Sequence, residues 1–500
     1  MSVSEQTLFV KQRQRNGAAV AAAGVALFAL FALAPAHAAT PYTGIMPRAD
    51  CGPGDRTETG LQGQTTVAER QSGDSKTAYN CNLQLVGQAP GEGAEYQMTW
   101  SDNCAYYATA NRATQAHRGV AVIDVTDQSN PTATAYLNDP AMADPWESLK
   151  VNDRRKLLGA VQGNGGNGTA SGFALYDIAA NCANPQPLST LALEPSAPGF
   201  VRGHAGDFSP DGKTFYGTDR GRSVIYPIDI SDPTQPRLLA KWKAPDGVGF
   251  PHDITVNEDG TRLYIAQPRI APNGNGLVIL DVSDVQNRVP DPQFRVVSKL
   301  YWTDSAEAQV AKKIRIKGRP YILISDEIGP GGFTGTRVAT ACAQNIPSYG
   351  LARIIDILDE TNPTLVAQLK LEVHDPANCS LFMPDATAGF IYDSHYCTTD
   401  DPKNAKMAAC SWFQSGIRII DIRDPYHPKE LAYYKPGAVG TASRPGSTLT
   451  GNRTWDLSSS NIRWVKKDGD IFLWFTSHDN GFQVVKFSDH LKQTQPALFQ

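Results

Sequence analysis

The chain has 500 residues, 41% of them hydrophobic and 19% charged, a balance that excludes a disordered chain and suits a folded globular one. A formal net charge of -4 leaves no basic footprint for nucleic acid or an anionic membrane surface. The 43 Gly and 34 Pro fall at many places, which favours many short strands and tight turns over long helices.

The N-terminus reads as an export signal. Lys11, Arg13 and Arg15 form a positive region, and Ala18 to Leu33 is an apolar run that Pro35 interrupts. Ala36-His37-Ala38 is a small-x-small cleavage site, so residues 1–38 are expected to be removed and the mature chain to begin near Ala39. A membrane anchor is the competing reading, but the run is short for a bilayer span. The expected location is therefore periplasmic, secreted or cell-surface, with no membrane span after signal removal.

Residues 39–80 are polar and rich in Gly and Thr, and read as an extended lead-in segment. All 8 Cys follow the signal. An even count in an exported chain points to disulfides, and no spacing forms a CxxC metal or redox motif. Cys51–Cys81 would tie the lead-in. Cys104 and Cys182 fall on turns of one face in neighbouring repeats, Cys397–Cys410 would staple a loop, and Cys342–Cys379 is the remaining pair.

From residue 81 to 490 one short pattern returns: two apolar residues, Asp, an apolar residue, then a turn that often contains Asp and Pro. It centres on Asp124, Asp177, Asp229, Asp281, Asp356 and Asp421, with a degenerate seventh copy at Lys486. The spacings are 53, 52, 52, 75, 65 and 65 residues. Each holds four short strands and their turns, the content of one propeller blade. In the third repeat the reading is Ala205 to Phe208, Thr214 to Thr218, Val224 to Ile230 and Arg237 to Trp242. In the fourth it is His252 to Val256, Arg262 to Gln267, Leu277 to Val282 and Arg295 to Leu300. Asp-Gly turns link the first two strands of both.

The expected fold is all-β, a seven-bladed β-propeller. The seventh repeat, begun at Trp455-Asp456-Leu457, lacks a fourth strand. Leu83 to Gly87 resembles the other outer strands and is expected to pair there and close the ring, which removes exposed edges. The long spacings place insertions at residues 329–350 of blade five and 397–415 of blade six, between second and third strands. Residues 491–500 are a C-terminal tail. These apolar-apolar-Asp-apolar repeats resemble the LVIVD-repeat family of bacterial envelope β-propellers. That resemblance implies the fold and an envelope setting, and no particular chemistry.

Aligning the first residues of each inner strand gives a candidate site. Trp146-Glu147-Ser148, Gly203-His204-Ala205, Pro251-His252-Asp253, Ala306-Glu307-Ala308 and Val373-His374-Asp375 share one register, with Tyr96-Gln97-Met98 and Thr454-Trp455-Asp456. Inner strands line the central channel, so His204, His252 and His374 are expected as metal ligands in a ring at one mouth. Neutral imidazoles beside carboxylates suit a divalent transition metal: copper, iron, manganese or zinc. Glu147 and Glu307 would ligate or orient the rings. His395 and His478, placed at ends of second strands on the same face with Asp219, Arg220, Gln267, Asp326, Glu327 and Asp479, are candidates for acid–base work. The competing reading is a polar, water-filled channel with solvated His. Two functions follow: a metal-dependent periplasmic enzyme of oxidoreductase or lyase type, or a non-catalytic cell-envelope binding module. In either, the partner is a small-molecule or envelope ligand on the channel-mouth face.

Overall fold

A computed structural model describes residues 40–500, apart from 110–115, 164–171, 194–202, 221, 245–250, 271–273, 333, 386–389 and 440–453. The export-signal reading therefore lies outside the described residues. Among those residues no helix is long and apolar enough to cross a membrane.

Seven antiparallel sheets follow one another along the chain. Their first strands are Met98–Ser101, Lys150–Asn152, Gly203–Phe208, Ile254–Val256, Glu307–Ile316, Cys397–Thr399 and Arg463–Lys467. The first strands of blades one to six neighbour one another in turn. The fold is a seven-bladed β-propeller.

The recurring Asp explains the repeat physically. It ends the third strand of a blade, and its side chain bends the chain back by accepting from the backbone two residues on. Asp124 Oδ1 accepts from Thr126 N at 2.8 Å, Asp229 from Ser231 N at 3.0 Å, Asp281 from Ser283 N at 2.8 Å and Asp421 from Arg423 N at 3.0 Å. The apolar residues before it are buried and pack blade against blade. Tyr264, Ile279, Ala308, Ile322 and Ile355, for example, join blades four and five in one cluster. Each buried isoleucine of this kind stabilises the ring by about 1.5–3 kcal/mol.

The lead-in is more than an extended tie. Tyr42 bridges Ala367 and Ile45 bridges Lys370 along blade five. A short helix, Val67–Ser72, starts at Thr66, whose side chain accepts from Glu69 N while Glu69 reaches back. Tyr79–Cys81 then adds a fifth strand to blade six, against Lys429–Lys435. Leu83–Ala89 is the fourth strand of the seventh sheet, paired with Gly481–Phe487. A buried ionic cluster holds the lead-in down. Arg418 pairs with Glu58 and, at 2.8 Å, with Glu430, while Lys435 lies 3.0 Å from Glu58. The tail contains a helix, Asp489–Thr494. The four disulfides are Cys51–Cys81, Cys104–Cys182, Cys342–Cys379 and Cys397–Cys410.

Two expectations of register are corrected. In blade six, residues 397–411 are not an insertion. Cys397–Thr399 is the first strand and Met407–Ser411 the second, with Cys397 directly opposite Cys410. The extra chain lies earlier, before Cys397, and its described part includes the 3₁₀ turns Glu372–His374 and Pro376–Asp385. It is clamped by Cys342–Cys379 to the helix Arg337–Gln344 of the blade-five insertion. In blade seven the first strand is Arg463–Lys467, not Trp455 to Leu457. Asp456 instead caps the nearby turn, accepting from Leu457 N and Asp479 N at 2.8 Å.

Candidate metal centre

The first strands of blades two to six bring five of the expected residues to one end of the channel. Glu147 precedes the first strand of blade two, and its N–H donates to His204 O at 3.0 Å. His204 lies in the first strand of blade three. The glycine before it permits a close approach, because a Cβ at Gly203 would lie 2.2 Å from Gln162 O. His252 precedes the first strand of blade four and Glu307 starts that of blade five. Glu327, near the end of the second strand of blade five, completes the group. All are buried.

Blade six contributes His395, not His374. With the blade-six strand beginning at Cys397, His395 is the residue that enters the channel. His374 sits in the 3₁₀ turn. Its Nδ1 accepts from Leu371 N at 3.1 Å, and its Nε2 lies 3.1 Å from Tyr392 O and 3.2 Å from Gly350 O. Every polar atom of that ring is used by backbone, and it joins none of the His/Glu groups of ligand type among the described residues. His478 also stands outside those groups. Its ring packs 5.4 Å from Tyr96, which is 5.7 Å from His395.

Six residues thus converge: His204, His252, His395, Glu147, Glu307 and Glu327, in three overlapping groups that could hold a metal ion. His204 Nε2 lies 3.0 Å from His252 Nε2 and 3.1 Å from Glu147 Oε2. His252 Nε2 is 2.9 Å from Glu327 Oε1 and 3.5 Å from Glu307 Oε1. His395 Nε2 is 3.2 Å from Glu147 Oε1 and 3.3 Å from Glu327 Oε2. Glu147 and Glu327 each present one oxygen toward His395 and the other toward the His204–His252 side.

The outer partners set the tautomers. His395 Nδ1 lies 2.5 Å from Ser459 O, and His252 Nδ1 lies 3.3 Å from Gln309 O. A carbonyl only accepts, so both Nδ1 atoms carry the hydrogen, and both neutral rings turn an Nε2 lone pair inward. Those lone pairs face carboxylate oxygens, which are also acceptors. Only a proton or a cation between them reconciles the contact. The backbone-tethered imidazole is the usual arrangement of a metal-bound His.

In a metal-free form of the protein, protons would take that role. Burial opposes charge on His395, but its hydrogen bonds to Glu147 and Glu327 and their charge raise it to about 9. Burial likewise opposes His252, and Glu327 raises it. Burial and neighbouring His252 hold His204 down at about 4. Against burial, His204, His395 and His252 hold Glu147 well below the usual carboxylate range. His252 and His395 lower Glu327 to about 2. Arg220 pairs with Glu307, and Gln309 Nε2 donates to Glu147 at 2.9 Å. Three carboxylates against one guanidinium leave two negative charges, which one divalent ion with three neutral imidazoles would cancel.

Aromatic rings flank the centre. Trp146 lies 5.8 Å from His204, and Phe413 lies 4.9 Å from His395. Both have positive φ, at 49° and 36°, which costs a bulky residue of order 1–3 kcal/mol and collects at functional sites. No sequence signal marks either. The remaining second-strand residues have structural work. Asp219 accepts from Tyr226 Oη at 2.9 Å and Arg222 N at 3.0 Å. Asp326 pairs with Arg353 at 2.8 Å.

The LVIVD repeat matches residues 268–287, spanning the third strand of blade four and its Asp281 turn. The chain is thus a seven-bladed β-propeller that contains an LVIVD repeat. No curated protein matches the sequence. Among solved structures it is similar to a hydrazine synthase of Kuenenia stuttgartiensis, with 13% identity, TM-score 0.49, and 81% of this chain and 97% of that one covered. It is also similar to a protein from Lactobacillus plantarum, with 12% identity, TM-score 0.46 and 68% and 87% covered. A third likeness is to the periplasmic gluconolactonase of Pseudomonas aeruginosa, with 11% identity, TM-score 0.44 and 77% and 99% covered.

Proposed function

We propose that this LVIVD-repeat propeller is an exported, metal-dependent enzyme. Its divalent transition metal is held by His204, His252 and His395 with Glu147, Glu307 and Glu327. One observation carries the reading: three buried imidazoles, two of them tethered through Nδ1 to backbone carbonyls, turn Nε2 toward three buried carboxylates. A solvated channel has no reason to bury three imidazoles against three carboxylates. The mixed nitrogen and oxygen donor set fits copper, iron, manganese or zinc. A bound ion supplies Lewis-acid or redox chemistry there, for oxidoreductase or lyase action on a small molecule at that mouth. Export is supported by the signal-like N-terminus and by four disulfides, which persist in oxidising compartments.

The test is metal analysis of the mature chain, purified without chelator and again after reconstitution with each metal, followed by a screen for turnover. Substoichiometric metal in both preparations would sink the proposal. Full loading without turnover on any substrate class would leave a metal-bearing envelope binding module instead.

A further inference from the structure

A second site lies at the opposite end of the same channel. Beyond the His and Glu residues the first strands run on and, with their turns, line an open cavity of about 530 Å³, a size suited to a small organic ligand. None of the six metal-centre residues lines it. Its charged lining comprises Lys150, Lys312, Lys313 and Lys403 against Asp207 and Glu258.

Both lining acids already accept hydrogen bonds, while neither Lys150 nor Lys312 has a carboxylate within hydrogen-bond distance. Glu258 pairs with Lys313 at 2.7 Å. Asp207 accepts from Phe208 N at 2.9 Å and Val256 N at 3.0 Å. Lys312 donates to the Asn461 side-chain oxygen, a neutral partner. Lys150 has Asp253 Oδ2 no nearer than 3.8 Å, beyond hydrogen-bond distance. That carboxylate already accepts from Tyr396 Oη at 3.1 Å. The two ammonium groups also feel each other: burial first, then Lys150, bring Lys312 down to about 8 against the opposing pull of Asp253 and Asp207. Met98, Trp100, Pro210 and Val256 supply apolar wall beside them.

We propose that this cavity binds a small organic carboxylate, its anionic group between Lys150 and Lys312 and its apolar body against Trp100 and Met98. The site is separate from the metal centre and does not depend on it.

Calorimetric titration of the mature protein with benzoate, benzamide and inorganic phosphate tests this. Benzoate is expected to bind saturably. Benzamide, the same shape without charge, is expected to bind at least about tenfold more weakly, as is phosphate, which lacks the apolar body. Lys312→Met is expected to lose benzoate binding and Lys312→Arg to keep it, with metal content unchanged in both. Lys150→Met, on another blade, serves as a second variant should Lys312→Met fail to fold by thermal unfolding. Absence of saturable benzoate binding, equal binding of benzamide, phosphate binding as tight as benzoate, or full binding in the folded Met variants overturns the proposal.

Discussion

Replacing His374 and His395 separately by alanine distinguishes a wedge from a ligand. His374 is fully buried, accepts the Leu371 amide and lies against the Tyr392 and Gly350 carbonyls. His374→Ala leaves a buried amide without its acceptor, about 1–3 kcal/mol, and adds the cost of an unfilled void. The expected loss is about 3 kcal/mol in urea unfolding, with metal content unchanged. His395→Ala removes the Nε2 that faces Glu147 and Glu327. Loss of a mere supporting partner at a metal site costs 10- to 100-fold, so loss of a ligand is expected to weaken metal affinity by at least about 100-fold. Chelator competition measures it. Metal lost from His374→Ala at an unshifted unfolding midpoint, together with metal retained by His395→Ala, would refute the register on which the centre is built.

Metal must displace the proton that His395, raised to about 9, carries at neutral pH. Affinity should therefore climb from pH 6.5 to about 9, with protons released in calorimetry across buffers of different ionisation enthalpy. In the metal-free protein the sign is reversed. The stability His395 contributes is present below 6.5 and lost as pH rises through about 9, which pH-dependent urea midpoints would show. Arg418→Leu takes the paired cation from Glu430 and leaves Glu58 with Lys435 alone, and is expected to cost about 3–5 kcal/mol; a loss below about 1 kcal/mol by urea unfolding would contradict the role of that cluster. Among the disulfides, the Cys104–Cys182 loop spans 78 residues and the Cys397–Cys410 loop 13. Chain entropy assigns them about 4.5 and about 3 kcal/mol, so the double Ser variant at Cys104 and Cys182 should unfold at the lower urea concentration.

The blades were legible because Asp281 and its counterparts do one local job that the sequence must spell out: an Asp capping the turn two residues later. Their spacing therefore counts the sheets. Glu147, His204, His252 and Glu307 were legible because each stands at the start of an inner strand, a register that the repeats define. Blade six failed because Val373-His374-Asp375 mimics Pro251-His252-Asp253, and an insertion ahead of the strand has the same length signature as one behind it. Only the pairing of Cys397 with Cys410 fixes which it is. Glu327 was visible as a second-strand residue, but its convergence with His252 and His395 depends on three blades at once. The positive φ of Trp146 and Phe413 has no local sequence mark, because the surrounding packing imposes it.

The most direct measurement is the metal content of the purified mature chain by mass spectrometry, beside the triple variant of His204, His252 and His395 to Ala. The wild type is expected to carry at least about one equivalent of a divalent transition metal after reconstitution, and the variant none above background. Equal metal in the two proteins, or none in either, would contradict the account.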